Sequence, residues 1–182
     1  MKKNTLLFFV LAILLAVPVS AKDNKALKKG YHGNLELGTS AMTLKTMGSS
    51  SAEPDEVIRL STTHGYAFGN GVFIGAGAGC NFLLIENEQF VSVFMDVKYN
   101  FVDASASPFI EGRTGYNYCT SQKNEIGGLF VSTAAGVDFG RMSARIGYEL
   151  APIKENVRVS NGALGYALYT SNQFFFSLAF NF

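Results

Sequence analysis

Hydrophobic side chains recur at every second residue along most of this chain. A period of two is the signature of a β-strand that shows different surroundings to its two faces. Eight segments carry the pattern: Gly30–Thr43, Val57–Phe68, Val72–Leu84, Phe90–Phe101, Pro108–Cys119, Gly128–Phe139, Met142–Leu150 and Asn172–Phe182. The sequence therefore predicts an all-β fold with eight antiparallel strands.

Charged residues within these segments occupy only one of the two alternating phases. They are Glu36, Arg59, Asp96, Lys98, Glu111, Arg113, Asp138, Arg145 and Glu149. The opposite phase is aliphatic and aromatic, with small and hydroxyl residues between. A lipid-facing Lys or Arg costs about 2–4 kcal/mol at the membrane midplane. Nine charges turned to lipid would exceed the roughly 5–15 kcal/mol stability of a domain, so in a membrane barrel they must face inward.

The alternation fits both a transmembrane barrel and a secreted lipocalin-like barrel. Segment length and loop pattern distinguish the two. The segments have about 9–14 residues, whereas soluble strands average 5–6 and tilted membrane strands need about 9–11. Short connections such as Gly69–Gly71 and Gly140–Arg141 alternate with longer polar ones, mainly Leu44–Glu56 and Ala151–Ser171. Tyr and Phe collect near strand ends, as an interfacial girdle requires. These features favour an up-and-down transmembrane barrel over a secreted lipocalin-like one, which alternation alone does not exclude.

The N-terminal region reads as a secretory signal. Lys2 and Lys3 precede an apolar run, Leu6–Val17, which is too short to span a bilayer and is followed by small residues. We expect cleavage after Ala21, a short periplasmic leader over residues 22–30, and a barrel domain over residues 31–182. With an even number of strands, both termini are expected on the periplasmic side.

The sequence offers little catalytic or metal-binding chemistry. His32 and His64 lie on opposite phases with no Ser at a matching spacing, and the glycines of Gly75–Gly79 precede no helix. Cys80 and Cys119 fall on non-neighbouring strands and opposite phases, which makes a disulfide awkward. We therefore expect no catalytic residue, no metal and no cofactor. Fifteen Lys+Arg against fourteen Asp+Glu also argue against a nucleic-acid partner.

The whole predicted mature chain resembles the small eight-stranded outer-membrane barrels of Gram-negative bacteria, of the OmpA/OmpX type. The resemblance rests on the signal peptide, the eight segments and the C-terminal stretch Phe174–Phe182. It implies a porin-like outer-membrane location among lipid and lipopolysaccharide. It also implies that the barrel-assembly machinery, after periplasmic chaperones, reads an aromatic C-terminal signal. The matching positions are Phe174, Phe176, Leu178, Phe180 and Phe182. The sequence stops at Phe182, so no peptidoglycan-binding domain of the OmpA type is expected.

An eight-stranded barrel has an interior that side chains can fill, so we expect a polar lumen without a sizeable channel. The predicted lumen network contains Glu36, Arg59, Asp96, Lys98, Glu111, Arg113, Arg145 and Glu149. The favoured function is a structural or surface-interaction protein, whose loops meet host-surface or other extracellular ligands. The alternatives are a narrow pore for small solutes or ions and a lipid A-modifying enzyme.

Overall fold

The computed structural model describes residues 28–46, 52–85, 88–120, 126–158 and 164–182. Eight strands follow one another along the chain: β1 Gly30–Thr46, β2 Ala52–Ala67, β3 Val72–Leu83, β4 Gln89–Asn100, β5 Ala106–Cys119, β6 Ile126–Phe139, β7 Met142–Arg158 and β8 Leu164–Asn181. Each strand pairs antiparallel with the next, and β8 pairs with β1 to close the barrel. The predicted all-β, eight-stranded up-and-down barrel is confirmed. The predicted signal peptide lies outside the described residues.

The strands are strongly tilted, as the register shows. Register partners followed once around the barrel from Gly33 pass through His64 and Val131 and return to β1 at Thr43. The return point is 43 − 33 = 10 residues farther along β1. For eight strands, this offset corresponds to a tilt of roughly 40°.

Two predicted loops are largely strand, so the expectation for them was wrong. β1 and β2 continue to the pair Lys45↔Ala52, inside the predicted loop Leu44–Glu56. β7 and β8 continue to Arg158↔Leu164, inside the predicted loop Ala151–Ser171. Backbone pairing in a hairpin does not require an apolar face. Where strands rise beyond the apolar belt, both faces are free to be polar and the alternation that reveals a strand disappears.

The opposite end of the barrel has tight turns built on glycine. Gly69 and Gly71 take φ values of 82° and 88° between β2 and β3, where the Phe68 N–H donates to the Val72 carbonyl at 2.9 Å. Gly140 has φ 60° in the two-residue β6–β7 turn. Such left-handed backbone matches the twist of the flanking strands and favours glycine. These turns form the rim of the barrel at the end opposite the long hairpins.

Alternation places apolar side chains outside and polar ones inside. Leu129, Ile146 and Phe174 are 65%, 65% and 68% exposed on the outer surface. The charged side chains of Asp96 and Glu149 are each 1% exposed in the interior. The barrel is therefore inverted relative to a water-soluble one. In the part of the chain that the structure describes, no helix is long and apolar enough to cross a membrane.

Candidate functional site: the charged interior

All eight residues of the predicted lumen network point into the barrel, as does Asp138. They come from six strands: Glu36 on β1, Arg59 on β2, Asp96 and Lys98 on β4, Glu111 and Arg113 on β5, Asp138 on β6, and Arg145 and Glu149 on β7. Their ion pairs form three levels along the barrel axis.

The middle level holds five charges in one buried cluster. Arg113 Nη2 lies 2.7 Å from Glu36 Oε2 and 2.7 Å from Glu111 Oε1, and Arg113 Nε lies 3.2 Å from Asp96 Oδ2. Arg145 Nη1 lies 2.7 Å from Glu111 Oε2 and 3.2 Å from Glu36 Oε2. The two guanidinium groups thus join side chains from β1, β4, β5 and β7. Multiple charge-assisted contacts of this kind counter part of the desolvation cost of the buried charges.

The level nearer the loops contains the ion pair between Arg59 and Glu149. Arg59 Nη2 donates to Glu149 Oε2 at 2.7 Å, and the Arg59 guanidinium lies 4.6 Å from the centroid of the Phe175 ring. The ion pair crosses the barrel from β2 to β7, and the ring from β8 covers its cation. A cation over an aromatic face gains further stabilisation in a desolvated site.

The level nearer the short turns is organised around Asp138, which is fully buried. Asp138 Oδ2 lies 2.7 Å from Lys98 Nζ and accepts from Asn100 Nδ2 at 2.6 Å, while Asp138 Oδ1 accepts from Ser143 Oγ at 2.6 Å. The Lys98 Nζ also lies 4.2 Å from the centroid of the Phe109 ring. Asp138 was omitted from the predicted network although it shares the phase of the other charges. This shared phase is the sequence feature by which Asp138 could have been included in the network.

Large side chains close the interior between and beyond these charges. Phe94 and Phe130 meet edge to face with centroids 6.3 Å apart, next to the middle cluster. An apolar cluster of buried residues fills the loop-side end: Met42, Val57, Leu83, Phe90 and Cys119. A void beside Arg59 and Asn117 measures about 10 Å³, roughly the room of one water molecule. The described interior is therefore a packed core.

A shallow groove of about 790 Å³ runs over the outer surface of β4 to β8. Its lining includes Tyr99, Gly112, Thr133, Tyr148 and Phe174. A Cβ added at Gly112 would meet nothing within 4 Å. The groove is apolar and brings no reactive groups together.

The two histidines stand apart from the charged interior. His64 lies on the outer face, where its Nδ1 is 2.5 Å from the Tyr31 hydroxyl and its Nε2 is 3.0 Å from Thr62 Oγ1. Thr62 Oγ1 donates to the Asn34 carbonyl at 3.0 Å. Because the Thr62 hydroxyl donates its proton to Asn34, Thr62 Oγ1 accepts from His64 Nε2–H. Both nitrogens of the His64 ring are thereby engaged.

The remaining residues considered from the sequence form no site. His32 Nε2 bonds the Lys28 carbonyl at 2.6 Å. Cys80 and Cys119 are not joined by a disulfide, and Cys119 is buried. Among the described ranges, no group of three or more His, Cys, Asp or Glu side chains is placed to hold a metal ion.

The C-terminal residues named above as an assembly signal line the outer face of β8. Phe174, Phe176 and Phe182 are 68%, 46% and 48% exposed, and Leu178 and Phe180 are half-buried. Phe182 exchanges two backbone hydrogen bonds with Gly33, at 2.9 and 3.0 Å. The aromatic stretch therefore forms the closing seam with β1.

A closed eight-stranded antiparallel barrel with this inverted polarity has the fold of the small outer-membrane barrels. The sequence matches no family model, and no curated protein matches it significantly. Among solved structures, the chain is similar to Neisserial surface protein A, with a TM-score of 0.55 and 11% identity over 84% of this chain and 99% of that one.

Two further structures share less of the shape. Ail, the attachment invasion locus protein of Yersinia pestis, solved with the heparin analogue sucrose octasulfate, has a TM-score of 0.39 at 11% identity over 84% of this chain and 99% of its own. The N-terminal β-barrel domain of Pseudomonas aeruginosa OprF has a TM-score of 0.40 at 11% identity over 82% and 99%. At these scores neither structure bears on function. The comparison with the Neisserial protein establishes the fold alone.

Proposed function

We propose that this protein is an integral outer-membrane β-barrel with a sealed interior, acting as a structural or surface-interaction protein through its loop-side end. The observation that carries the proposal is the distribution of polarity over the closed barrel. Residues such as Leu35, Val93 and Ile146 are 52%, 59% and 65% exposed on the outer surface, while the nine charged side chains pair inside. In water this arrangement would expose a continuous apolar belt far larger than soluble monomers carry. In a bilayer the same belt meets acyl chains.

The interior supports a structural role over a conducting one. Conduction requires a continuous wet path, yet Arg113 and Arg145 bridge the lumen to Glu36 and Glu111, and phenylalanines fill the space beside them. An ion passing through would have to break several buried ion pairs together. The proposed lumen network is therefore a polar core that holds opposite sides of the barrel together.

The loop-side end supports surface interaction. There β7, β8, β1 and β2 extend farther than the strands on either side of them. For example, β3 ends at Leu83, paired to Val57, whereas β2 continues to Ala52. Four adjacent strands thus raise the long hairpins beyond the apolar belt. A rigid sheet that presents variable connections to the outside is a common arrangement for binding.

Cysteine labelling in intact cells tests the location and the orientation together. In a Cys80→Ala/Cys119→Ala background, single cysteines at Ser49 and at Asn70 place one thiol in each kind of connection. A membrane-impermeant maleimide should label position 49 in intact cells and position 70 only after the outer membrane is opened. Recovery of the protein in the soluble periplasmic fraction would overturn the membrane assignment. Labelling of position 70 alone in intact cells would overturn the orientation.

A further inference from the structure

The closing seam between β8 and β1 poses a register problem that side-chain alternation leaves unsolved. Every other pair in the barrel joins strands that are consecutive in the chain, so the connection limits the register. The β8–β1 pair joins the two ends of the barrel, as in Gly33↔Phe182 and Thr43↔Asn172. A slip of two residues at this seam would keep every side chain on its own face. Something other than polarity must select the observed offset.

A slot on the outer face of β1 receives the ring of Phe182. A Cβ added at Gly33 would lie 2.5 and 2.8 Å from two Phe182 ring carbons and 3.2 Å from His64 Nδ1. These distances leave no room for a side chain, so the glycine is required by the close approach of the ring. An aromatic ring covering a glycine on a neighbouring strand is a known device for pinning register.

His64 forms the far wall of the slot. Its ring meets Phe182 edge to face at 5.9 Å between centroids and stacks on Tyr31 at 6.1 Å. The Tyr31 hydroxyl and Thr62 hold both His64 nitrogens, which fixes the direction of the ring. The Phe182 side chain, directly after the end of β8, thus reaches across β1 to a pre-oriented ring on β2.

We propose that Gly33 and His64 form a receiving slot for the Phe182 ring and that this slot selects the register in which the barrel closes. In a register shifted by two residues, Phe182 would stand opposite Tyr31 or Leu35. Tyr31 and Leu35 each carry a side chain where Gly33 leaves space, so the Phe182 ring would not fit there. The slot therefore favours the offset of ten residues over offsets of eight or twelve.

Disulfide reporters across the seam measure the register directly. In the Cys80→Ala/Cys119→Ala background, the pair Leu37→Cys/Leu178→Cys stands directly opposite in the observed register. The pairs Leu37→Cys/Phe176→Cys and Leu37→Cys/Phe180→Cys report the two slipped registers. Opposite residues fall within disulfide range, whereas positions two residues along do not. The protein should be refolded from urea into detergent micelles without assembly factors. The disulfide pattern then reports the effect of the slot on the register without any effect of the assembly machinery.

Gly33→Val blocks the slot, and Gly112→Val is its matched control because the space at Gly112 is open. We expect Gly33→Val to lower the native-register disulfide relative to the slipped ones by about threefold to tenfold, the size of one aromatic pair contact. Gly112→Val should keep the native pattern. The same ratio of native-register to slipped-register disulfides in Gly33→Val and Gly112→Val would overturn the proposal.

Two variants that add no bulk cover the case in which Gly33→Val fails to fold. Phe182→Ala and His64→Ala each remove one partner of the contact and should also produce slipped disulfides. His64→Phe retains an aromatic wall and should restore the native register. A purely native pattern in both alanine variants would refute the slot.

Discussion

Replacement of Arg113 should strongly destabilise the barrel, because this residue lies at the centre of the ion-paired core. Arg113→Ala would remove the partner of three carboxylates, those of Glu36, Asp96 and Glu111, all of which are buried. Arg145 would remain as the one cation of the middle cluster. Breaking a buried ion pair on one side typically costs about 3–5 kcal/mol, since the remaining charge is left uncompensated. We expect the free energy of unfolding to fall by that amount.

Reversible urea unfolding in lipid vesicles measures this loss. With a denaturant slope of about 2 kcal/mol per molar, the midpoint should drop by roughly 2 M. The exposed Arg141, in the β6–β7 turn, supplies the control: Arg141→Ala should change the free energy of unfolding by less than about 0.5 kcal/mol.

A double-mutant cycle separates the charge from the lost volume. Glu36→Gln removes one of the three carboxylates and should restore part of the stability in the Arg113→Ala background. An unchanged unfolding midpoint for Arg113→Ala would refute the reasoning. So would a double mutant no more stable than Arg113→Ala alone, because the cost would then come from packing.

Three further predictions follow from the same structure. Lys98→Met should destabilise the barrel by about 3 kcal/mol by leaving Asp138 buried without its cation, and Asp138→Asn should recover part of that loss in urea titrations. Val97→Arg, on the outer face, should cost about 2–4 kcal/mol in lipid vesicles, whereas Val97→Leu should be nearly neutral; equal midpoints would contradict a lipid-facing Val97. Planar-bilayer recording of the wild-type protein should show no discrete openings, and stable unitary currents would contradict a sealed interior.

Side-chain alternation was enough to predict the strand count and the inward phase of the nine charges in the three ion-paired levels, but Asp55, which is also buried, fell in a predicted loop. Alternation responds to the two surroundings of a strand, so it reports where these surroundings differ. It fails at Ala151–Arg158, where Lys154, Glu155 and Asn156 follow one another without a period of two. Pro152 and Lys154 are of residue types common in loops, yet their backbones pair in the β7–β8 hairpin.

The ion pairs were less accessible to sequence reasoning than the strands. Glu36 meets Arg113 because the tilt of the barrel brings β1 and β5 to the same height across the lumen. That height depends on the ten-residue offset, and no local pattern encodes the offset. Asp138 was left out of the network although it shares the inward phase, and its partner, Lys98, lies two strands away and becomes a neighbour only in the closed barrel.

Nitroxide scanning along β4 tests most directly whether the apolar face of the barrel meets lipid. Spin labels at Val93, Met95 and Val97, each introduced through a single cysteine in the cysteine-free background, sample consecutive outward positions. In vesicles, these labels should collide strongly with oxygen and weakly with a water-soluble nickel complex, with the opposite result at Asn70 in the Gly69–Gly71 turn. Strong collision with the nickel complex at all three β4 positions would show that this face meets water and would contradict the account.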